Sequence, residues 1–454
     1  MKRERIETVD ALRALALAGI LQVNIQSFVW GAGDPLGFFV QPPGPADAAV
    51  HLLVGTFVST KFLSIFAFLF GLGFALQWRS LRRRLPEDDA RAAYRRRLWF
   101  LLALGLAHGA LLYFGDILAP YALVGFLLLR YAGCRPAALV AAARAWWLGF
   151  AALTLASTAA IEASRHAFPP EDDPARLPAW ALERLAVYTQ GGYLEQIGPR
   201  VADYLSILGT MAVLGLPQVI GLFLLGAIAG RLGWLARPRR HARLWRVALW
   251  TGVAAVPFAA AGAWLNFVTM RDSPGDPSVI GYALQNVGAL VAVLYVATLV
   301  RLQRRPSIGR LIAWLAPAGR MPLTNYIAQS VAMGLLLSGW GLGLGASASR
   351  ARPSRRTART HIRDAEAPCG AKSRHHDRRE LPDGVAGLQR RRLHARRAEL
   401  HAVTGSPQQR SGDRPWNSVA RFTWALMCTR IRSPLRAPIR GEIPGASSAR
   451  LRTT

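Results

Sequence analysis

The chain has 454 residues, 52% of them hydrophobic, with a mean hydropathy of +0.21 and a formal net charge of +30. Its apolar residues gather into runs of roughly 17 to 25, the length that crosses a bilayer core at about 1.5 Å per residue, which excludes an ordinary soluble enzyme. The charge does not mark a nucleic-acid binder either, because 24 basic and 8 acidic residues lie beyond Gly345 and most of the remaining excess sits in short loops between apolar runs.

Taken in chain order, nine spans are expected, at about 11–30, 52–78, 98–114, 116–132, 137–160, 204–230, 247–268, 279–300 and 320–344. This predicts an all-α polytopic transmembrane bundle. Residues 1–160 form an N-terminal membrane domain of five spans, 161–203 an extracytoplasmic loop, and 204–345 a C-terminal membrane domain of four spans. The first run could be mistaken for a secretory signal, but it continues to Trp30 without a convincing small-residue cleavage site, so a retained helix is expected. The segment 311–318 is apolar but too short to cross, and an interfacial position is expected for it. In the loop 161–203, the amphipathic stretch Ala179 to Gln190 reads either as a short surface helix or as a solvated linker.

Charge between the spans tests the count, since one wrong span would flip every later loop. Arg79, Arg82, Arg83, Arg84, Arg91, Arg95, Arg96 and Arg97 fill one connection; Arg231, Arg237, Arg239, Arg240, Arg243 and Arg246 fill another; Arg301, Arg304, Arg305 and Arg310 fill a third. The alternate connections carry Asp34 and Asp47, then Asp116, then Glu171, Asp172 and Asp173, then Asp272 and Asp276. This places the N-terminus in the cytoplasm of a bacterial inner-membrane protein, with the lipid bilayer as its first partner.

Beyond Gly345 the apolar runs stop, and Arg, Ala, Pro, Ser and His dominate without periodicity. The chain has 53 Arg against 3 Lys, which points to GC-rich coding DNA. Out-of-frame reading of such DNA yields this mixture, so a frame shift near codon 345 is the expected origin of residues 346–454, a basic disordered tail. A genuine basic arm for nucleic acid or anionic lipid is the alternative; no nucleic-acid partner is expected. Cys134, Cys369 and Cys428 make no disulfide framework or paired-cysteine metal motif, and no metal or resident cofactor is predicted.

Ionisable and amide groups inside spans are costly, so they usually face protein or water. Asp10 and Arg13 are helix neighbours at i, i+3. Arg13 and Asn24 lie three turns apart on one face, about 16 Å. They read either as one functional stripe or as an interfacial ion pair plus an amide joining two helices. Lys61 falls about 14 Å into the second span, either in a cavity or in an intramembrane ion pair. His108 and Asp116 could exchange a proton, but eight helical residues would separate them by about 12 Å, so contact requires the hairpin between them to fold back. The bland reading is a histidine bonded between helices and an aspartate capping the fourth span. The last span opens with Asn325 and Gln329 one turn apart, and Tyr326 and Ser330 repeat that spacing, so this stripe faces protein or water rather than lipid.

Four segments carry a family resemblance. The first runs from Arg5 to Asn24 through Asp10 and Arg13. The second is Lys61-Phe-Leu-Ser-Ile-Phe-Ala-Phe-Leu-Phe70-Gly-Leu-Gly-Phe. The third joins Gly105-Leu-Ala-His108 to Gly115-Asp116-Ile-Leu-Ala-Pro-Tyr121. The fourth runs from Gly319-Arg320 through Asn325, Tyr326, Gln329 and Ser330 to Gly339-Trp-Gly-Leu-Gly. In this order across 1–345 the chain resembles the YeiB family of bacterial membrane proteins, which carry a C-terminal domain of unknown function. Two departures stand out: Ala14, where such proteins usually have glycine, and the loss after Gly345 of the further span with which they continue. The first segment is also similar to the transmembrane acyltransferase superfamily, which moves acyl groups from cytoplasmic acyl-CoA to acceptors outside. One branch has histidine at the position of Asn24, so its catalytic assignment does not carry over. Another has asparagine there and its reactive histidine further on, and His108 is taken here as the substitute.

Two functions follow. In an acyltransferase-like enzyme, Arg13 attracts the CoA phosphates and His108 deprotonates an acceptor or carries the acyl group, with Asp116 beside it. Asp10, Asn24, Lys61, Asn325, Tyr326 and Gln329 then bind donor or acceptor, the acceptor being a small molecule or lipid-linked. In a transporter or exporter of a small solute, Lys61, His108 and Asp116 form a proton-coupled pathway.

Overall fold

A computed structural model of the chain describes residues 6–30, 45–167, 179–272 and 278–345. Expectations for the tail 346–454 and for Asp34, Glu171, Asp172, Asp173 and Asp276 lie outside the described residues. Those residues form helices and turns, with no strand among them.

The helices are α1 (Glu7–Trp30), α2 (Pro45–Phe57), α3 (Lys61–Arg82), α4 (Glu87–Leu111), α5 (Leu118–Leu128), α6 (Pro136–Ala167) and α7 (Ala179–Gln190), followed by α8 (Ile197–Thr210), α9 (Leu216–Leu232), α10 (Ala242–Asp272), α11 (Val279–Asn286), α12 (Gly288–Leu302), α13 (Pro306–Gly319) and α14 (Pro322–Leu337). Six stretches are long and apolar enough to cross a bilayer: Glu7–Ile25, Ala48–Arg82, Pro136–Ser164, Ile197–Leu232, Pro238–Arg271 and Val279–Leu302. The chain is a multi-pass membrane protein. Six of the nine expected spans coincide with these stretches; those at 98–114, 116–132 and 320–344 fall on α4, α5 and α14, which are shorter or less apolar, and the segment around 311–318 is α13, packed along α1.

Four boundaries differ from expectation. The second span is not continuous: it breaks between α2 and α3 at Val58–Thr60. A continuous helix would bond the Gly55 carbonyl to the Ser59 N–H, but that N–H turns to Val54 and the Lys61 ammonium takes the Gly55 carbonyl at 2.6 Å. The eighth span breaks likewise at Val287, between α11 and α12. The sixth begins at Ile197 and contains a π-helical stretch, Met211–Gly215, between α8 and α9. Finally, α4 starts at Glu87, so Arg91, Arg95, Arg96 and Arg97 lie on helix rather than in a loop. Glu87, Asp88 and Asp89 in its first turn complement the helix dipole, and the hydrogen bond from Arg91 holds the exposed Glu87 carboxyl below its usual range.

Long-range bonds tie the arginine-rich turns to neighbouring helix ends. Thr8 at the start of α1 bonds Gln303 after α12 at 2.7 Å. Arg91 donates to the Leu129 carbonyl at 3.1 Å. Arg231 donates to the carbonyls of Tyr131 at 3.0 Å and Ala132 at 2.7 Å, and also to that of Cys134. These carbonyls lie where α5 runs out through a 3₁₀ turn. Arg231→Met should therefore lower stability by about 3 kcal/mol, by analogy with the loss of charge-assisted hydrogen bonds, read as a fall in Tm of the detergent-purified protein.

The core runs along α3 and α9, where glycines let the backbones meet. A Cβ on Gly71 would lie 2.0 Å from the Phe223 carbonyl oxygen, and one on Gly226 would lie 1.9 Å from that of Phe68. Small residues serve this purpose because lipid gives no hydrophobic drive to helix pairing, and association rests on close contact. Phe74, Tyr94, Tyr121 and Phe223 fill the space around this seam.

The stretch Ala179 to Gln190 is a docked helix, not a solvated linker. The Tyr188 hydroxyl donates to Asp203 at 2.8 Å, Gly339 donates to the Tyr188 carbonyl at 3.1 Å, and Gln196 Nε2 donates to the carbonyls of Val187, Tyr188 and Gly191. Burial, reinforced by the Asp203 charge, pushes the Tyr188 phenol well above its usual value.

Candidate functional site

His108 sits on the last turn of α4. The chain then turns sharply, with Leu112 and Tyr113 both donating to the His108 carbonyl at 2.9 Å. Gly105, one turn earlier, is what lets the hairpin close: a Cβ there would stand 2.3 Å from the Ala119 nitrogen and 2.8 Å from Asp116 Oδ2. The hairpin therefore folds back, and Asp116 Oδ1 lies 3.0 Å from His108 Nδ1. Its other oxygen accepts from Ala119 N–H at 2.8 Å, capping α5. The contact with His108 and the cap on α5 thus coexist, one on each oxygen.

The other face of the imidazole meets α14. His108 Nε2 is 2.9 Å from Ser330 Oγ, and the ring lies 4.9 Å from that of Tyr326. The Tyr326 hydroxyl accepts from Ile117 N–H at 3.4 Å, fastening α14 to the hairpin. His108, Asp116 and Ser330 are 2%, 3% and 6% exposed. A carboxylate can only accept, so Asp116 places a ring proton on Nδ1, and the Ser330 hydroxyl has one proton to give, either to Nε2 or to the Tyr326 carbonyl 3.3 Å away. The result is a water-excluded chain Asp116–His108–Ser330 assembled from two elements far apart in sequence.

α1 borders this cluster. Phe28 stacks on Tyr113 at 4.4 Å, and Tyr113 lies 6.5 Å from the imidazole. Asn24 is one turn before Phe28, partly exposed and without a hydrogen bond among the described residues. On the opposite side of the hairpin, Tyr204 packs on Gly109, where a Cβ would come within 2.4 Å of its ring, and its buried hydroxyl has no partner among the described residues. Beyond Tyr204 opens an apolar cleft of about 400 Å³, lined by Pro120 and Leu123 of α5, Leu205 and Leu208 of α8, Met211 of its π-helical continuation and Leu216 at the start of α9.

The other expected residues distribute elsewhere. Arg13 Nη1 bonds Asp10 Oδ1 at 3.0 Å near the start of α1, with its side chain 25% exposed. It therefore stands at the opposite end of that helix from the His108 cluster. Asn325 donates to the Ala318 carbonyl at 2.6 Å, closing the turn between α13 and α14. The Gln329 amide nitrogen is buried without a partner among the described residues. Lys61 is fully buried and contacts Gly55 and Gly288, not His108 or Asp116.

Sequence reasoning gave Ser330 a place on a polar stripe but no role. The signal was a hydroxyl one turn from a tyrosine in an otherwise apolar run, and its partner lies 222 residues away.

Residues 229–353 match the model of a protein family of unknown function, DUF418. The uncharacterised protein YxaH of Bacillus subtilis strain 168 is 28% identical over 365 residues, covering 76% of this chain and 84% of its own. The uncharacterised protein YeiB of Escherichia coli K12 is 30% identical over 353 residues, covering 72% of this chain and 82% of its own. An uncharacterised 39.9 kDa protein of Bacillus acidopullulyticus is 34% identical over 130 residues, 28% of this chain and 34% of its own. No solved structure matches. The match to YeiB over most of both chains, with the DUF418 segment over the last helices, makes this chain a member of the YeiB family.

Proposed function

We propose that this protein transfers an acyl group, with Ser330 as nucleophile, His108 as general base and Asp116 as the group that orients the imidazole. The observation that carries the reading is the buried hydrogen-bonded chain from carboxylate to imidazole to hydroxyl, with 3.0 Å and 2.9 Å links. A serine hydroxyl is a weak nucleophile unless an adjacent base takes its proton, and the base works best when a third group fixes its tautomer.

In the first half-reaction Ser330 Oγ forms a bond to the acyl carbonyl carbon while its proton passes to His108 Nε2. The bond to the leaving group breaks and that group departs with the proton. In the second, an acceptor hydroxyl or amine gives its proton to Nε2 and its heteroatom takes the acyl carbon, and the proton returns to Ser330. The imidazolium formed in each half is stabilised by Asp116. The donor is acyl-CoA from the cytoplasm, its phosphates drawn to Arg13 at the far end of α1, and the acceptor is an extracytoplasmic small or lipid-linked molecule. This orientation, with the N-terminus cytoplasmic in a bacterial inner membrane, rests on the arginine distribution. Proton-coupled transport is the weaker reading, because it needs Lys61 in line with His108 and Asp116, and the lysine contacts a different set of helices.

The test is covalent. The purified full chain in detergent, incubated with a fluorophosphonate probe, should carry the label on Ser330, and Ser330→Ala should remove it. Absence of label from folded wild-type protein ends the assignment of Ser330 as nucleophile.

A further inference from the structure

The acyl-transfer reading does not use Lys61, and the surroundings of this residue are unusual for a membrane helix. Its ammonium has three N–H donors and, among the described residues, one hydrogen-bond partner, the Gly55 carbonyl at 2.6 Å. No carboxylate among the described residues pairs with it. A fully buried cation in that state carries a large uncompensated desolvation penalty.

Two broken helices meet at this charge. α3 begins at Lys61, so the positive end of its dipole adds to the ammonium. The preceding Thr60 has φ 67°, a left-handed conformation strongly disfavoured for a β-branched residue, and its hydroxyl is buried without a partner among the described residues. The second break contributes Gly288, where a Cβ would lie 2.5 Å from Thr60 Oγ1 and 2.9 Å from Lys61 Nζ. One turn back on α11, Gln285 is 9% exposed and its side-chain amide makes no hydrogen bond among the described residues. That amide lies against Gly55, its nitrogen 3.4 Å from where a Cβ would stand. A further turn along, Asn266 of α10 reaches Gly281 and is 2% exposed, and both atoms of its amide lack partners among the described residues. Unused donors thus run from Asn266 through Gln285 to Thr60 and Lys61, from the end of the bundle where α2 and α11 begin. Buried donors left unpaired are destabilising, and a row of them around one cation describes a site whose ligand supplies the acceptors.

We infer that the junction of the two helix breaks binds a small monocarboxylate, its two oxygens accepting from Lys61 and from the Thr60 hydroxyl and Gln285 amide. The ligand is singly charged because one ammonium is the only side-chain cation in contact with the junction among the described residues, and a dianion would restore the imbalance with opposite sign. The inference stands whether or not Ser330 is a nucleophile.

The experiment uses the full chain in detergent, with acetate and benzoate as probes and sulfate as the dianion control, read by thermal unfolding. Wild type should show a saturable rise in Tm of about 2–4 °C with a monocarboxylate, as expected for a ligand that binds only the folded state, and no rise with sulfate. Lys61→Met should lose that response while unfolding, without ligand, at or above the wild-type temperature, because the substitution removes an uncompensated charge. A wild type indifferent to both carboxylates, or a response that survives in Lys61→Met, overturns the site. So does a ligand-free Tm well below wild type in Lys61→Met, which would make the lysine a clamp on Gly55. Should that variant fail to fold, Gln285→Ala replaces it: a weakened response supports the site and an unchanged one overturns it.

Discussion

His108→Ala and Ser330→Ala should each lower formation of an acetyl-enzyme from radiolabelled acetyl-CoA by about 10³-fold or more, the scale on which losing a base or nucleophile is felt in such triads. The same bonds also hold α4, α5 and α14 together, so a loss of activity alone would not separate chemistry from structure. Asp116→Asn does. Its amide can still give one oxygen to the Ala119 N–H and keep α5 capped, but it cannot at once supply a second acceptor to His108 Nδ1. The proton is then free to move to Nε2, where it blocks acceptance from the serine. Activity should fall by about 10³-fold or more, with Tm within a few degrees of wild type. If Asp116→Asn keeps the acetyl-enzyme, or loses it only by unfolding, the three residues are a polar clamp between helices and the chemistry lies elsewhere.

The second large effect concerns packing. Gly226→Val should prevent the folded protein from accumulating, and Gly71→Val should do the same. The obstructing atoms are main-chain carbonyl oxygens, 1.9 Å and 2.0 Å from the new Cβ, so no rotamer change relieves the overlap, and α3 and α9 must move apart along the centre of the core. Overpacking of a dense core costs about 1–3 kcal/mol and more where backbone must shift. Gly149→Ala on α6 is the matched control: nothing lies within 4 Å of its Cβ, and alanine in a helix is favoured over glycine by about 1 kcal/mol. Fluorescence-detected gel filtration of solubilised membranes reads all three. A monodisperse Gly226→Val peak at wild-type height would contradict the close approach of the two helices.

The helical, multi-pass architecture was legible because bilayer thickness and backbone hydrogen bonding leave few options, and both write themselves into run length and arginine placement. Helix interruptions were not. Val58, Ser59 and Thr60 look apolar or neutral enough to continue a span, and the break depends on a lysine side chain taking a carbonyl six residues behind it. The His108–Asp116 contact was legible as a condition, that the hairpin must fold back, and Gly105 meets that condition at a position where sequence alone could not say what would cross. Asn325 was legible as polar but not as a turn closure, since the Ala318 carbonyl it bonds is freed only by where α13 stops. Ser330 was least legible, because its meaning comes from a partner that only tertiary folding brings near.

The separation of 222 residues between His108 and Ser330 has a consequence for biosynthesis. At ribosomal speeds of about 5–20 residues per second, the hairpin carrying His108 and Asp116 is inserted roughly 10–45 s before α14 leaves the exit tunnel. During that interval the imidazole lacks its hydroxyl neighbour, so the polar chain stays incomplete until α14 has emerged.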